Sequence, residues 1–122
     1  MKLNREQAIN EFRRMWAWIA LETYGCKQKI SKEDYLETFG YVNIACDCFL
    51  CEYALTHMKN ENENQCKYCP IAFTNEYGRE VECMKGGTAF ESWYNSITWQ
   101  DAAKYAWEIA NLEEKSEVKM ED

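Results

Sequence analysis

Cys48-Phe49-Leu50-Cys51 and Cys66-Lys67-Tyr68-Cys69 are two C-x-x-C pairs separated by 14 residues. A tight turn between paired cysteines aims both sulfurs at one centre, and two such turns supply the tetrahedral thiolate shell that zinc prefers. The gap is slightly shorter than the usual zinc-ribbon range, with room for a helix and a loop. The spacing therefore predicts one structural Zn2+ held by Cys48, Cys51, Cys66 and Cys69. An iron–sulfur cluster uses the same type of ligand and stands as the alternative. A redox role is weaker, because the strand-then-helix setting of a thioredoxin-like motif is missing. Isolated cysteines are often small buried hydrophobes, but two such pairs in one short stretch favour a metal.

Three of the seven cysteines are left over. Cys83, with 13 residues between it and Cys69, competes for one of the four places or stands beside the site as a neighbouring thiol. Cys46 is two positions before Cys48, too close for a comfortable further ligand, and Cys26 reads as a bystander in a basic turn. His57 finds no vacancy in a shell of four thiolates. Such a shell has no open coordination position, so the metal is expected to be structural rather than hydrolytic. The chain has no H-E-x-x-H, no phosphate loop and no dinucleotide fingerprint. The deaminase pattern also fails, since Met58-Lys59 follow the histidine and proline follows the second pair. An enzyme is not expected.

The elements that must position these sulfurs are mostly helical. Asn4 with Gln7 makes a capping box for a helix from about Arg5 to Glu22. Its apolar face is Ala8, Ile9, Phe12, Met15, Trp16, Ile19 and Ala20. Trp18 and Leu21 fall off that face, so a later segment covers them or Trp18 serves a partner. Tyr24 to Lys29 reads as a turn. Ser31 caps a helix from Lys32 to about Phe39, stopped near Gly40. A third helix starts at Phe49 or Leu50 and runs through His57 into a polar tract, 59–64. Asn75 to Gly78 is a turn, and the residues on either side, 71–74 and 79–83, fit a short hairpin or helix equally. Thr88 caps a short helix carrying Phe90, Trp93 and Tyr94. Thr98 opens a last helix whose face is Trp99, Ala102, Ala103, Ala106, Ile109 and Ala110, flanked by Tyr105 and Leu112. The prediction is a mainly α domain over 1–112, stapled by a zinc-ribbon or knuckle-like site with at most one short β-hairpin, and a charged tail over 113–122 that frays.

Length and composition fit this picture. A chain of 122 residues, 47% hydrophobic and 15% aromatic, can bury one modest core and should fold. It lacks an apolar run near the ~20 residues of a membrane span, and no signal peptide opens it. The expectation is a cytoplasmic protein, where cysteines are seldom structural disulfides. The net charge of -7 argues against anionic membranes and non-specific nucleic-acid binding. That charge is graded, from +1 over 1–44 to -3 over 45–87 and -5 over 88–122.

Arg14-Met15-Trp16-Ala17-Trp18-Ile19-Ala20, Cys48-Phe49-Leu50-Cys51-Glu52-Tyr53-Ala54, Cys66-Lys67-Tyr68-Cys69-Pro70-Ile71, Cys83, the Trp93 region and the closing Ala102-Ala103-Lys104-Tyr105-Ala106 with Ile109-Ala110-Asn111-Leu112 occur in that order. This series resembles a family of small cysteine-rich proteins of phages and prophages of Gram-positive bacteria, generally without an assigned activity. The resemblance spans nearly the whole chain. It implies a phage-encoded protein acting in the host cytoplasm, with Cys48, Cys51, Cys66, Cys69 and Cys83 as its matching cysteines.

Three functions are weighed. The first is a protein that binds a host protein, including inhibition of a defence nuclease of the anti-CRISPR type, its acidic surface occupying a basic groove reserved for nucleic acid. The second is a zinc-knuckle nucleic-acid binder that stacks bases on Tyr68 and Trp93 and contacts phosphate through Arg13, Arg14, Lys27, Lys29 and Lys32. The third is a structural or regulatory phage accessory protein. The first is preferred, because a basic stripe is missing.

Overall fold

The computed structural model describes residues 3–41, 49–57, 69–75, 77, 79–81 and 86–115. Among them the chain forms five helices and one two-stranded antiparallel hairpin: α1 (Arg5–Cys26), α2 (Lys32–Phe39), α3 (Phe49–His57), β1 (Phe73–Thr74), β2 (Glu80–Val81), α4 (Ala89–Tyr94) and α5 (Trp99–Ala110). The mainly α expectation holds, and the open choice over 71–81 resolves as a hairpin with Phe73 opposite Val81 and Thr74 opposite Glu80. Its turn is built on Asn75, whose side-chain oxygen accepts from the amides of Tyr77 and Arg79 at 2.9 and 3.0 Å. That Asx geometry ends the first strand.

Local capping chemistry sets the helix starts. Asn4 and Gln7 form a reciprocal box on α1, and Ser31 and Asp34 form one on α2. Thr88 and Thr98 accept from the amides of Glu91 and Asp101. Gly40 ends α2 at φ 78°, in the left-handed region where a Cβ would be strained.

Helix α1 runs to Cys26, past the predicted stop at Glu22, and Lys27 takes the left-handed cap at φ 57°. The extension has tertiary causes. Thr23 is fully buried and its hydroxyl accepts from the amide of Ile30. Tyr24 meets Trp99 of α5 edge-on at 5.7 Å.

α1 is the central element and packs most extensively on α5, whose Ala102, Ala106 and Ala110 are buried and allow close approach. Two aromatic clusters flank it. Trp16 meets Phe12, Phe90 and Trp93, and Phe12 meets Phe73, so α4 and the hairpin join this side of α1. On the other side Trp18, Tyr35, Phe39, Tyr41 and Phe49 join α1 to α2 and to the start of α3.

Glu113 to Lys115, read from sequence as the start of a fraying tail, instead lies against the segment before β1. Lys115 donates to the Pro70 carbonyl at 2.7 Å, Ala72 donates to the Glu113 carbonyl at 2.9 Å, and Ile71 bridges Glu114. Arg5 donates to the Glu114 carboxylate at 3.1 Å and to the Lys115 carbonyl at 2.6 Å, while Arg13 donates to the Leu112 carbonyl at 2.9 Å. The rest of the expected tail, 116–122, lies outside the described residues.

Candidate metal centre

Two of the four predicted zinc ligands are described, Cys51 and Cys69; Cys48 and Cys66 lie outside the described residues, as do Cys46 and Cys83. Each described sulfur is placed by an apolar pair beside it. Phe49 and Leu50, the two residues inside the first C-x-x-C, are 0% and 1% exposed, so they anchor the first turn of α3 in the core and leave Cys51 half-buried. Phe49 meets Tyr35 at 6.2 Å and Tyr41 at 4.9 Å, and this fixes the end of the helix that carries the cysteine. After the second pair, Pro70 and Ile71 are buried and Cys69 is half-buried against the core, its sulfur 3.8 Å from the Ile71 carbonyl oxygen. Both cysteines therefore stand at the core margin, on backbone held by neighbours whose burial each residue type demands.

Soft thiolate donors on pinned backbone suit zinc or an iron–sulfur cluster better than a hard cation. Among the described residues no three His, Cys, Asp or Glu side chains gather into a metal-holding group. Cys26 is exposed at the end of α1. His57 closes α3.

Next to this centre lies a polar group that sequence reasoning missed. Glu11 of α1 accepts at one carboxylate oxygen from the hydroxyls of Tyr41 at 2.7 Å and Tyr35 at 3.2 Å. Arg14 reaches the other oxygen at 3.8 Å while its guanidinium lies over the Phe39 ring at 4.8 Å. The available signal was Glu11, one position from Phe12 at the margin of the apolar face. Burial, and then the Glu11 charge, push the Tyr35 phenol far above its usual range. Burial, and then the hydrogen bond to Glu11, raise Tyr41. Both phenols are thus held neutral in the fold, whereas in the unfolded chain they ionise near pH ~10. Their contribution is complete below about pH 10 and is lost as the pH rises above it. The Tyr35→Phe/Tyr41→Phe double variant should be less stable at neutral pH by about 1–2 kcal/mol, with a shallower loss of stability above about pH 10. Urea titrations across that range check it, and an unchanged alkaline slope would count against the coupling.

Trp18 is half-buried, edge-on to Tyr35 at 5.5 Å and to Phe39 at 5.8 Å. A later segment, α2, covers it as the first sequence reading expected, whereas Leu21, expected to be covered with it, is 66% exposed. Trp18→Ala should therefore cost about 2 kcal/mol of stability, below the range of a fully buried tryptophan, and leave partner capture unchanged below the melting temperature. A full loss of capture with an unaltered melt would reverse this assignment.

The cations and the described aromatic proposed for nucleic acid are mostly engaged internally. Lys29 donates to the Tyr94 carbonyl at 3.1 Å and lies over Trp93 at 4.7 Å, and Lys32 lies over Phe90 at 4.8 Å. Trp93 is 5% exposed, so it offers no face to a base, contrary to the sequence reading. Tyr68 lies outside the described residues. Among the described residues no helix is long and apolar enough to cross a membrane. Comparison with known proteins finds no matching family model, no matching curated protein and no matching solved structure.

Proposed function

We propose that this chain is an acidic, zinc-stapled protein that acts by binding a host protein, of the kind phages encode, and that its target carries a basic groove built for nucleic acid, as a defence nuclease does. The observation that carries the zinc half is the anchoring of Cys51 and Cys69 by buried apolar neighbours. Such anchoring holds one cysteine of each C-x-x-C pair on firm backbone, which supports a four-thiolate shell of Cys48, Cys51, Cys66 and Cys69. The metal, when bound, supplies cross-linking of α3 to the segment before β1, without chemistry of its own.

The binding half is supported by charge. The chain carries -7, most of it toward the C-terminal end, and four thiolates around one divalent ion deepen the total by two. An acidic surface of this kind is steered to a basic groove and competes there with phosphate. The nucleic-acid reading is weaker, since four of its five cations, Arg13, Arg14, Lys29 and Lys32 but not Lys27, contact carbonyls, a carboxylate or ring faces of this same chain.

Affinity capture from a host lysate, with and without nuclease treatment, tests the proposal. One host protein retained under both conditions, and released by added salt, is expected. Recovery of nucleic acid alone would overturn it.

A further inference from the structure

The stretch that follows the second C-x-x-C pair is held from two sides. Ile71 is 1% exposed and belongs to the core, while the backbone on either side of it is tied to Glu113–Lys115, which follows α5. Lys115 donates to the Pro70 carbonyl at 2.7 Å, Ala72 donates to the Glu113 carbonyl at 2.9 Å, and Ile71 bridges Glu114. Proline has no N–H, so the carbonyl is the one backbone group through which Pro70 can be tied. Pro70 is also buried, where a carbonyl without a partner is costly. The Cys69 sulfur, half-buried, stands 3.8 Å from the Ile71 carbonyl oxygen of this same stretch.

Helix α1 holds Glu113–Lys115 in turn. These three residues carry no purely apolar side chain, so hydrogen bonds and charge must fix them. Arg5 and Arg13 reach opposite oxygens of the Glu114 carboxylate, at 3.1 and 3.6 Å. An exposed ion pair alone contributes little. The same two guanidiniums, however, grip the backbone on both sides of Glu114. Arg5 donates to the Lys115 carbonyl at 2.6 Å, and Arg13 donates to the Leu112 carbonyl at 2.9 Å. A chain of contacts thus runs from α1 through Glu114 to the backbone beside Cys69. Fixing a ligand's backbone before the metal arrives removes an ordering cost from binding. Groups just outside a metal's own ligands change its affinity about ten- to hundredfold. We infer that Glu113–Lys115 is a strap that positions the Cys69 half of the candidate centre. Arg5, Arg13 and Glu114 are its positioning residues and act through the backbone of Pro70 to Ala72. The inference rests on the reading that Cys69 is a zinc ligand. The Cys51 half has a separate anchor in Phe49 and Leu50.

The test uses the full chain, with Co2+ as a visible probe of thiolate ligation and Zn2+ in competition, well below the melting temperature. Lys115→Pro removes the N–H that the Pro70 carbonyl accepts. Arg5→Met/Arg13→Met removes the clamp and keeps the apolar stems. Each should weaken Zn2+ binding about tenfold or more. Lys115→Met loses the side-chain contact with Glu80 at 3.3 Å but keeps the amide, so it should stay within about twofold of the parent chain. Amide hydrogen exchange is the second readout. Ala72 should lose protection in the first two variants, while Met15 and Ile19 within α1 keep theirs. Faster exchange at Ala72 with Zn2+ affinity unchanged would overturn the inference. Equal weakening by Lys115→Pro and Lys115→Met would do the same, as would a loss of protection that extends to Met15 and Ile19, the mark of a merely structural role. A parent chain that binds neither metal removes the zinc reading and the strap's role with it. A parent that binds Zn2+, with variants that bind it equally well, removes the strap's role alone.

Discussion

Protein purified without chelator should carry about one zinc per chain, and Cys51→Ser or Cys69→Ser should each abolish it. Cys26→Ser should leave the metal in place, because that thiol is exposed at the far end of α1. A structural zinc contributes roughly 10 kcal/mol or more of apparent binding energy, comparable with the whole stability of a domain this size, about 5–15 kcal/mol. Stripping the metal should therefore collapse the thermal transition rather than lower it by a few degrees. Phe49 should leave Tyr35 and Tyr41 first, since α3 is the short helix that the proposed metal would hold. Elemental analysis by mass spectrometry and circular dichroism after chelation read both effects. Visible absorbance with bound iron would exchange zinc for a cluster on the same thiolates. A chain with no bound metal and an unchanged melt in chelator would remove the centre altogether. Cys83→Ser is the remaining arm: loss of metal makes it a ligand, and retention leaves the four C-x-x-C thiolates as the set.

What the sequence disclosed and what it hid divide along physical lines. Capping is local, so Asn4 with Gln7, Ser31 with Asp34, Thr88 and Thr98 could all be read directly, and each starts a helix where expected. The apolar face of α1 from Ala8 to Ala20 followed from its 3.6-residue period for the same reason. The extension of α1 to Cys26 could not be read, because its causes are Ile30 donating to Thr23 and Trp99 meeting Tyr24, the latter from the other end of the chain. Nor could the place of Glu113 to Lys115. Three charged residues carry no strand signal of their own, and what holds them is Arg5, about 110 positions earlier, and the backbone of Pro70 to Ala72. At the candidate centre the sequence proposes four donors, of which Cys51 and Cys69 are among the described residues. The packing of Phe49, Leu50, Pro70 and Ile71 that makes their backbone firm is visible only once the chain is folded.

Trp16→Ala should be the most damaging substitution outside the cysteines. The ring is 1% exposed and stands edge-on to Phe12 at 6.5 Å, to Phe90 at 6.0 Å and to Trp93 at 4.8 Å. Truncating a buried tryptophan costs about 3–5 kcal/mol through lost transfer energy and the cavity left behind. Each edge-to-face pair adds about 0.5–1.5 kcal/mol that the same truncation removes, although the three are not additive. About 4 kcal/mol is expected, roughly twice the cost of Trp18→Ala, whose side chain is only half-buried. The loss falls on the contact that docks α4 on α1, so Trp93 should become accessible to a fluorescence quencher while the Tyr35 and Tyr41 cluster stays closed. Zinc content should hold below the melting temperature, because Phe49 and Leu50 are anchored through the other aromatic cluster. Trp16→Phe should recover about half the loss by keeping an aromatic edge in a smaller volume. Equal denaturation midpoints for Trp16→Ala and Trp18→Ala would show that α4 is held by something other than this ring.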